Sequence, residues 1–155
     1  MLDVGAGSGR DAAGLVRAGH RVVAVEPSEG MRRFGREAHP EEAITWVDDS
    51  LPDLASVEGS YGLVLVSAVW MHLEADERPR AMARLAVLLA PSGMLVLTLR
   101  HGPSPPGRPM FDVTAEETIA LAAGQGLGVV LRTGSTDRLD RPGVGWTTLV
   151  FRHQN

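Results

Sequence analysis

The sequence predicts a doubly wound α/β domain with a mostly parallel sheet, and three observations predict it. Short apolar runs alternate with helical stretches through five strand-like segments, and parallel neighbours need crossover helices of that kind. The central run Leu63-Val64-Leu65-Val66 is apolar on both faces, as a strand covered on two sides requires. A glycine-rich turn, Gly5-Ala6-Gly7-Ser8-Gly9, falls between the first strand and the first helix, where sheets of this class bind ligands.

The elements follow in order. Met1 to Val4 is a short strand. Arg10 to Ala18 is predicted helical and stops at Gly19, a suitable C-terminal cap. Arg21 to Val25 is β-branched and reads as a buried strand. Ser28 can cap a helix from Glu29 to about Ala38, with Glu29 in its first turn. Ile44 to Val47 and Tyr61 to Ser67 are strands three and four. Asp76 can cap the next helix, and Pro79 is tolerated in its first turn. Met82, Leu85, Leu88 and Leu89 then recur at helical spacing as the buried stripe. Pro91-Ser92-Gly93 is predicted to end that helix in a turn before a fifth strand, Met94 to Leu99. Residues 100 to 113, rich in proline and glycine, read as a loop. Thr114-Ala115-Glu116-Glu117 reads as a capping box opening a helix that stops near Gly124. Leu127 to Arg132 and Trp146 to Arg152 complete seven strands. A polar loop through Asp140-Arg141-Pro142-Gly143 joins them, and a hairpin there adds an antiparallel strand. No internal repeat or linker divides the chain, so residues 1–155 are expected to form a single domain.

Composition bounds the chemistry. The 155 residues carry a net charge of −4 without a basic block, which disfavours nucleic acid as a partner. All 15 basic residues are arginine, so a lysine Schiff base is impossible. The absence of cysteine excludes disulfides, thiolate metal sites and a cysteine nucleophile. No apolar run reaches the roughly 18 residues of a membrane helix, and the start lacks a secretory pattern, so a cytoplasmic location is expected. No histidine pair or acidic cluster has metal-ligand spacing, and no metal is expected. His20, His39 and His153 read as surface residues.

Glycines in the first turn let backbone N–H groups approach a ligand, and the helix N-terminus adds a positive field. Glu26 ends the second strand, where a carboxylate can accept hydrogen bonds from both ribose hydroxyls of an adenosine. The spacing is G-x-G-x-G. A dinucleotide fingerprint would place glycine where this chain has Arg10. That side chain, and the lack of any lysine for a Tyr-x-x-x-Lys pair, weigh against a nicotinamide dehydrogenase.

These residues carry a resemblance. Leu2-Asp3-Val4-Gly5-Ala6-Gly7-Ser8-Gly9 resembles the first motif of class I S-adenosylmethionine-dependent methyltransferases, and Val25-Glu26-Pro27-Ser28-Glu29-Gly30-Met31 their second. Val47-Asp48-Asp49-Ser50-Leu51-Pro52 is similar to the acidic stretch after their third strand. Leu65 to Leu73 is similar to the segment after the fourth, and Leu88 to Leu95 to the turn before the fifth. The resemblance covers about residues 1 to 100 and implies a Rossmann-like methyltransferase fold with S-adenosylmethionine as cofactor. It also implies residue roles. Asp3 would fix the glycine turn and the ammonium of the cofactor's methionine part. Gly5, Ala6, Gly7 and Gly9 would let the backbone approach that part. Glu26 would hold the ribose, Pro27 beside it would belong to the cofactor-binding set, and Met31 would pack near the adenine. Asp48 or Asp49 would face the adenine amino group, with a backbone N–H near Ser50. Ser67 would offer its carbonyl to the ammonium.

Methyl transfer is an in-line displacement in which the cofactor brings the reactivity and the protein supplies position. A base is needed only where the acceptor holds its proton tightly. His72 and His101 are the candidates; His72 reads alternatively as a histidine packed at the helix entry. Arg100 can bind an acidic substrate as a planar fork or form a structural ion pair. Trp70 can wall the cofactor pocket or pack in the core, and Trp146 is expected to pack or to contact a lid. The family usually carries helices before the first strand. Here Met1 lies directly against the motif, which implies a minimal or truncated form, with the loop 102–109 as a substitute cover. The expected activity is methyl transfer to a small-molecule acceptor. The alternative is an inactive cofactor-binding domain that regulates or partners another chain.

Overall fold

The described residues form one seven-stranded sheet in the order β3-β2-β1-β4-β5-β7-β6, in a computed structural model that describes residues 1–40 and 43–154. The strands are β1 (Leu2–Val4), β2 (Val22–Val25), β3 (Ile44–Val47), β4 (Tyr61–Val66), β5 (Leu89–His101), β6 (Leu127–Thr136) and β7 (Gly145–His153). The helices are α1 (Arg10–Arg17), α2 (Glu29–Ala38), α3 (Arg78–Leu88) and α4 (Ala115–Ala123), with a 3₁₀ turn at Trp70–His72. β1 lies parallel between β2 and β4. The strand order therefore reverses beside β1, which opens a crevice at the carboxyl ends of β1 and β4.

The predicted hairpin is present, and its return strand enters the sheet. β7 runs antiparallel to both β5 and β6 and lies between them, while β6 is the edge strand. Two apolar clusters hold the layers. The larger joins β1, β4, β5 and β7 to α3 and α4 through residues such as Leu2, Val64, Leu97, Met82, Leu85 and Phe151. The smaller packs Ala12 and Ala13 of α1 on Val22, Ala24 and Ile44. No described helix is long and apolar enough to cross a membrane.

Local signals act where backbone donors need partners. Ser28 Oγ accepts the Met31 N–H at 3.3 Å, and Thr114 Oγ1 accepts the Glu117 N–H at 3.1 Å. Three local expectations are corrected. The reciprocal half of the capping box is not formed, because the Glu117 carboxylate accepts from Arg78 at 2.7 Å instead. Asp76 does not cap α3; the flanking residue is Glu77, without a side-chain cap, and its carboxylate accepts the Glu74 N–H at 2.8 Å. Pro91-Ser92-Gly93 does not precede β5 but bulges within it. Leu89 pairs with Tyr61 and Met94 with Leu63, so the turn residues loop out between two paired positions.

Candidate active site

The glycine turn is fastened to the end of β2. Val25 O accepts the N–H groups of Gly5 and Ala6 at 2.8 and 2.9 Å. Glu26 Oε2 accepts the Gly7 N–H at 2.9 Å, and Oε1 accepts the Ser28 N–H at 2.9 Å. The turn's amides thus close on the protein, and its glycines supply space rather than free donors. Gly5 has φ +72, and a Cβ there would collide with the Val69 side chain. Gly9 has φ +81, and its missing Cβ makes room for the Trp46 ring, which would lie 2.7–2.8 Å from it. Gly9 is therefore a packing position against β3 and does not line the cleft.

Two adjoining concavities sit at this edge. A cleft of about 270 Å³ is lined by Asp3, Gly5, Ala6, Gly7, Met31 and Ser67, among others. A larger cavity of about 730 Å³ lies over one face of β5, β7 and β6 and under the loops 103–110 and 137–141. The two share Arg10, Asp11, Ser67 and Ala68. Ala68 is a non-glycine residue at φ +59, a conformation that costs about 1–3 kcal/mol. Thr98 Oγ1 accepts its N–H at 2.8 Å and helps hold it on the shared wall.

Asp3 is the perturbed group of the cleft. It is 2% exposed, and its Oδ2 has no hydrogen-bond partner. Burial, with the nearby Asp11, pushes its pKa up to about 7. The Ala12 amide and Arg10 pull down, and Glu26 adds to the rise. A buried, unpartnered carboxyl in an open cleft suits a cationic ligand group.

Glu26 holds the rim of the turn and is not among the residues lining the cleft. Pro27 is exposed and also outside it. After β3, the two aspartates divide. Asp49 accepts the N–H groups of Ser50 and Ser56 at 2.8 and 2.7 Å and shapes the following loop. Asp48 is bound through Oδ2 to Arg32 at 2.9 Å. Neither aspartate nor Ser50 lines either cavity. Arg32 was not foreseen. It is 8% exposed and also donates to Glu26 O at 2.7 Å, locking the ends of β2 and β3 together.

Trp70 is corrected. It is fully buried in the larger core cluster and borders neither cavity. The next two residues of the same 3₁₀ turn, Met71 and His72, line the larger cavity instead. His72 Nδ1 lies 3.2 Å from Pro109 O. A carbonyl only accepts, so Nδ1 donates, and in a neutral ring Nε2 then keeps its lone pair. That Nε2 is buried without a partner.

His101 is corrected as well. Successive strand residues face opposite ways, and Arg100 lines the cavity with Thr98, Trp146 and Thr148. His101 takes the opposite face, where its Nε2 meets Thr147 Oγ1 at 2.8 Å. Arg100 forms no ion pair among the described residues. It is 7% exposed, its NH1 donates to Pro103 O at 2.9 Å, and its Nε has no partner. Opposite it, Asp137 gathers the loop that follows β6. Its carboxylate accepts from Arg141 at 2.6 and 2.8 Å and from Trp146 Nε1 at 2.9 Å. These bonds hold the Asp137 carboxyl well below the usual carboxylate range. Trp146 is thereby a contact of the cavity's rim.

A doubly wound sheet with a glycine-turn cleft at its switch point, adjoining a second cavity, has the architecture in which sheets of this class bind ligands. The sequence pattern of a family described as "Methyltransferase domain" matches residues 2–97. The chain belongs to that family. An uncharacterized methyltransferase of Bacillus licheniformis is 32% identical over 96 residues, which is 62% of this chain and 45% of that protein. A biotin biosynthesis bifunctional protein of Cellvibrio japonicus is 33% identical over 93 residues, 60% of this chain and 18% of that one. The chain thus spans about half, or less, of the length of these curated relatives. A 1,6-didemethyltoxoflavin-N1-methyltransferase of Burkholderia thailandensis, solved with 1,6-didemethyltoxoflavin and S-adenosylhomocysteine, has the same fold. It superposes with a TM-score of 0.81 at 21% identity, over 99% of this chain and 70% of that one. The magnesium protoporphyrin IX methyltransferase of Synechocystis with bound S-adenosylmethionine gives 0.79 at 20% identity, over 99% and 69%.

Proposed function

We propose that this chain transfers a methyl group from S-adenosylmethionine, held in the smaller cleft, to a small molecule held in the larger cavity. The observation that carries the proposal is the wall the two concavities share. A donor bound on one side and an acceptor on the other would meet across Ser67 and Ala68, as an in-line transfer needs. The orphaned Asp3 Oδ2 fits the cofactor's ammonium. Met31 stands in the cleft for the adenosyl part, and Glu26, with one backbone N–H on each oxygen, Gly7 on Oε2 and Ser28 on Oε1, keeps capacity for the ribose. Either Asp48 or Asp49 would serve the adenine edge; Asp48 has the freer carboxylate, with only Oδ2 engaged. The bound cofactor supplies an electrophilic methyl group on a sulfonium. His72 holds the lone pair that would take an acceptor's proton, where the acceptor has one to lose.

Calorimetry with S-adenosylhomocysteine, followed by a methyl-release assay over a metabolite panel, tests this reading. Saturable binding with turnover on at least one acceptor is expected, and absence of binding would overturn it. Glu26→Ala removes both the ribose acceptor and the Gly7 clamp. It is expected to weaken S-adenosylhomocysteine by about 1–3 kcal/mol, the range for a charge-assisted hydrogen bond. An unchanged dissociation constant would remove Glu26 from the site.

A further inference from the structure

We propose that the acceptor carries an oxyanion, a carboxylate or a phosphate, on an apolar body. This inference rests on the assignment of the larger cavity to the acceptor.

The cavity wall is cationic on a chain that is not. Five arginines line it, Arg10, Arg100, Arg108, Arg138 and Arg141, against two acids, Asp11 and Asp137. That is a local excess of three positive charges on a chain of net charge −4. Both acids are already spent: Asp11 pairs with Arg10 at 3.2 Å and Asp137 with Arg141 at 2.6 Å. Arg100, Arg108 and Arg138 have no carboxylate partner among the described residues.

Arg100 decides the matter. An exposed arginine is satisfied by water, but this one is buried in the cavity wall. Its recorded partners are the neutral carbonyls of Pro103 and Gly102 and the Met110 sulfur, and its Nε has none. A buried guanidinium without an anion is costly, and its planar fork matches a carboxylate or phosphate in two parallel bonds. Arg108 and Arg138 stand exposed on the two loops over the cavity, where they would draw an anion in and neutralise what Arg100 leaves. Met71, Met110, Leu139 and Trp146 supply the apolar remainder of the wall. The volume lies within the range of cavities that enclose drug-sized ligands.

The test uses three aromatic probes of one shape: 2-naphthoate, 2-naphthyl phosphate and, as the uncharged control, methyl 2-naphthoate. Their binding to the whole chain is measured with and without saturating S-adenosylhomocysteine. At least one anion is expected to bind tenfold or more tightly than the ester, and the tighter of the two assigns the oxyanion. Arg100→Met should abolish that preference. Arg108→Gln and Arg138→Gln, on exposed loop positions, should each reduce it about threefold and lessen its salt dependence, whether or not the Arg100 variant folds. The dissociation constant of S-adenosylhomocysteine should stay within twofold in the two loop variants. An ester that binds as well as both anions, or anion binding indifferent to all three arginines, would overturn the proposal. Anion preference in a protein that ignores S-adenosylhomocysteine would keep the anion site and defeat the cofactor assignment, so the two failures are separable.

Discussion

Replacing Trp70 by alanine is expected to lower the unfolding free energy by about 3–5 kcal/mol, the range for emptying a large aromatic from a packed core. The cofactor affinity of the folded fraction should remain nearly unchanged. The indole is fully buried within the cluster that joins β1, β4 and β5 to α3. The 3₁₀ turn that carries it also carries Met71 and His72 into the cavity wall, so its packing sets where they stand. Trp70→Phe should recover most of the loss, because the indole Nε1 has no partner to forfeit. Denaturant unfolding reads the stability, and calorimetry at low temperature reads S-adenosylhomocysteine binding. Phenylalanine and alanine variants that keep their stability but lose the ligand would return Trp70 to the pocket.

The second large effect is pH-dependent and belongs to Asp3. Its carboxyl has a pKa of about 7 in the folded chain against an ordinary value of 3.8. The unfolded chain therefore releases this proton first. Stability falls as pH rises from about 4 to 7 and carries the full cost above that. At 1.36 kcal/mol per pKa unit, the cost approaches about 4 kcal/mol. Asp3→Asn removes the titration. The variant should exceed the native chain in stability by about 2–4 kcal/mol at pH 8 and match it near pH 4. A cationic ligand group reverses the preference, since it favours the charged carboxylate. S-adenosylhomocysteine should consequently bind the native chain more tightly as pH rises through 7, and the asparagine variant should lose this slope. Parallel pH profiles for the two proteins would deny Asp3 its place opposite the ammonium.

The fold was legible wherever one physical signal dominated. Ser28 and Thr114 act as N-caps because a hydroxyl at the start of a helix meets an unpaired N–H. Ile44–Val47 is a strand to the residue, because a short apolar, β-branched run between turns has few other uses. Boundaries failed where tertiary contacts outweighed local propensity: Glu117 prefers a buried arginine to its own helix end, and Ala90–Gly93 bulges because the flanking residues both pair with β4.

At the site, Asp3, Gly5, Ala6, Gly7, Met31 and Ser67, grouped by the family resemblance, come together as a cleft. The larger cavity was scarcely readable. Its wall draws on β5, β6, β7 and two loops that meet only through the antiparallel insertion. One signal was present and unused. His101 stands in step with Leu95, Leu97 and Leu99, all fully buried, whereas Arg100 stands in step with Thr98. Two-residue alternation alone separates the cavity face from the core face there.

The placement of β7 also constrains how the chain assembles. It follows β6 in sequence yet lies inside the sheet, with β6 beyond it. During synthesis β6 leaves the ribosome before there is any strand for it to join. The part of the cavity wall that β6 and β7 supply, Trp146 included, can form only after residues 145–153 have emerged. The larger cavity should therefore take shape late, with β7, and a chain stopped before residue 145 would release β6 as an unpaired ribbon open to aggregation.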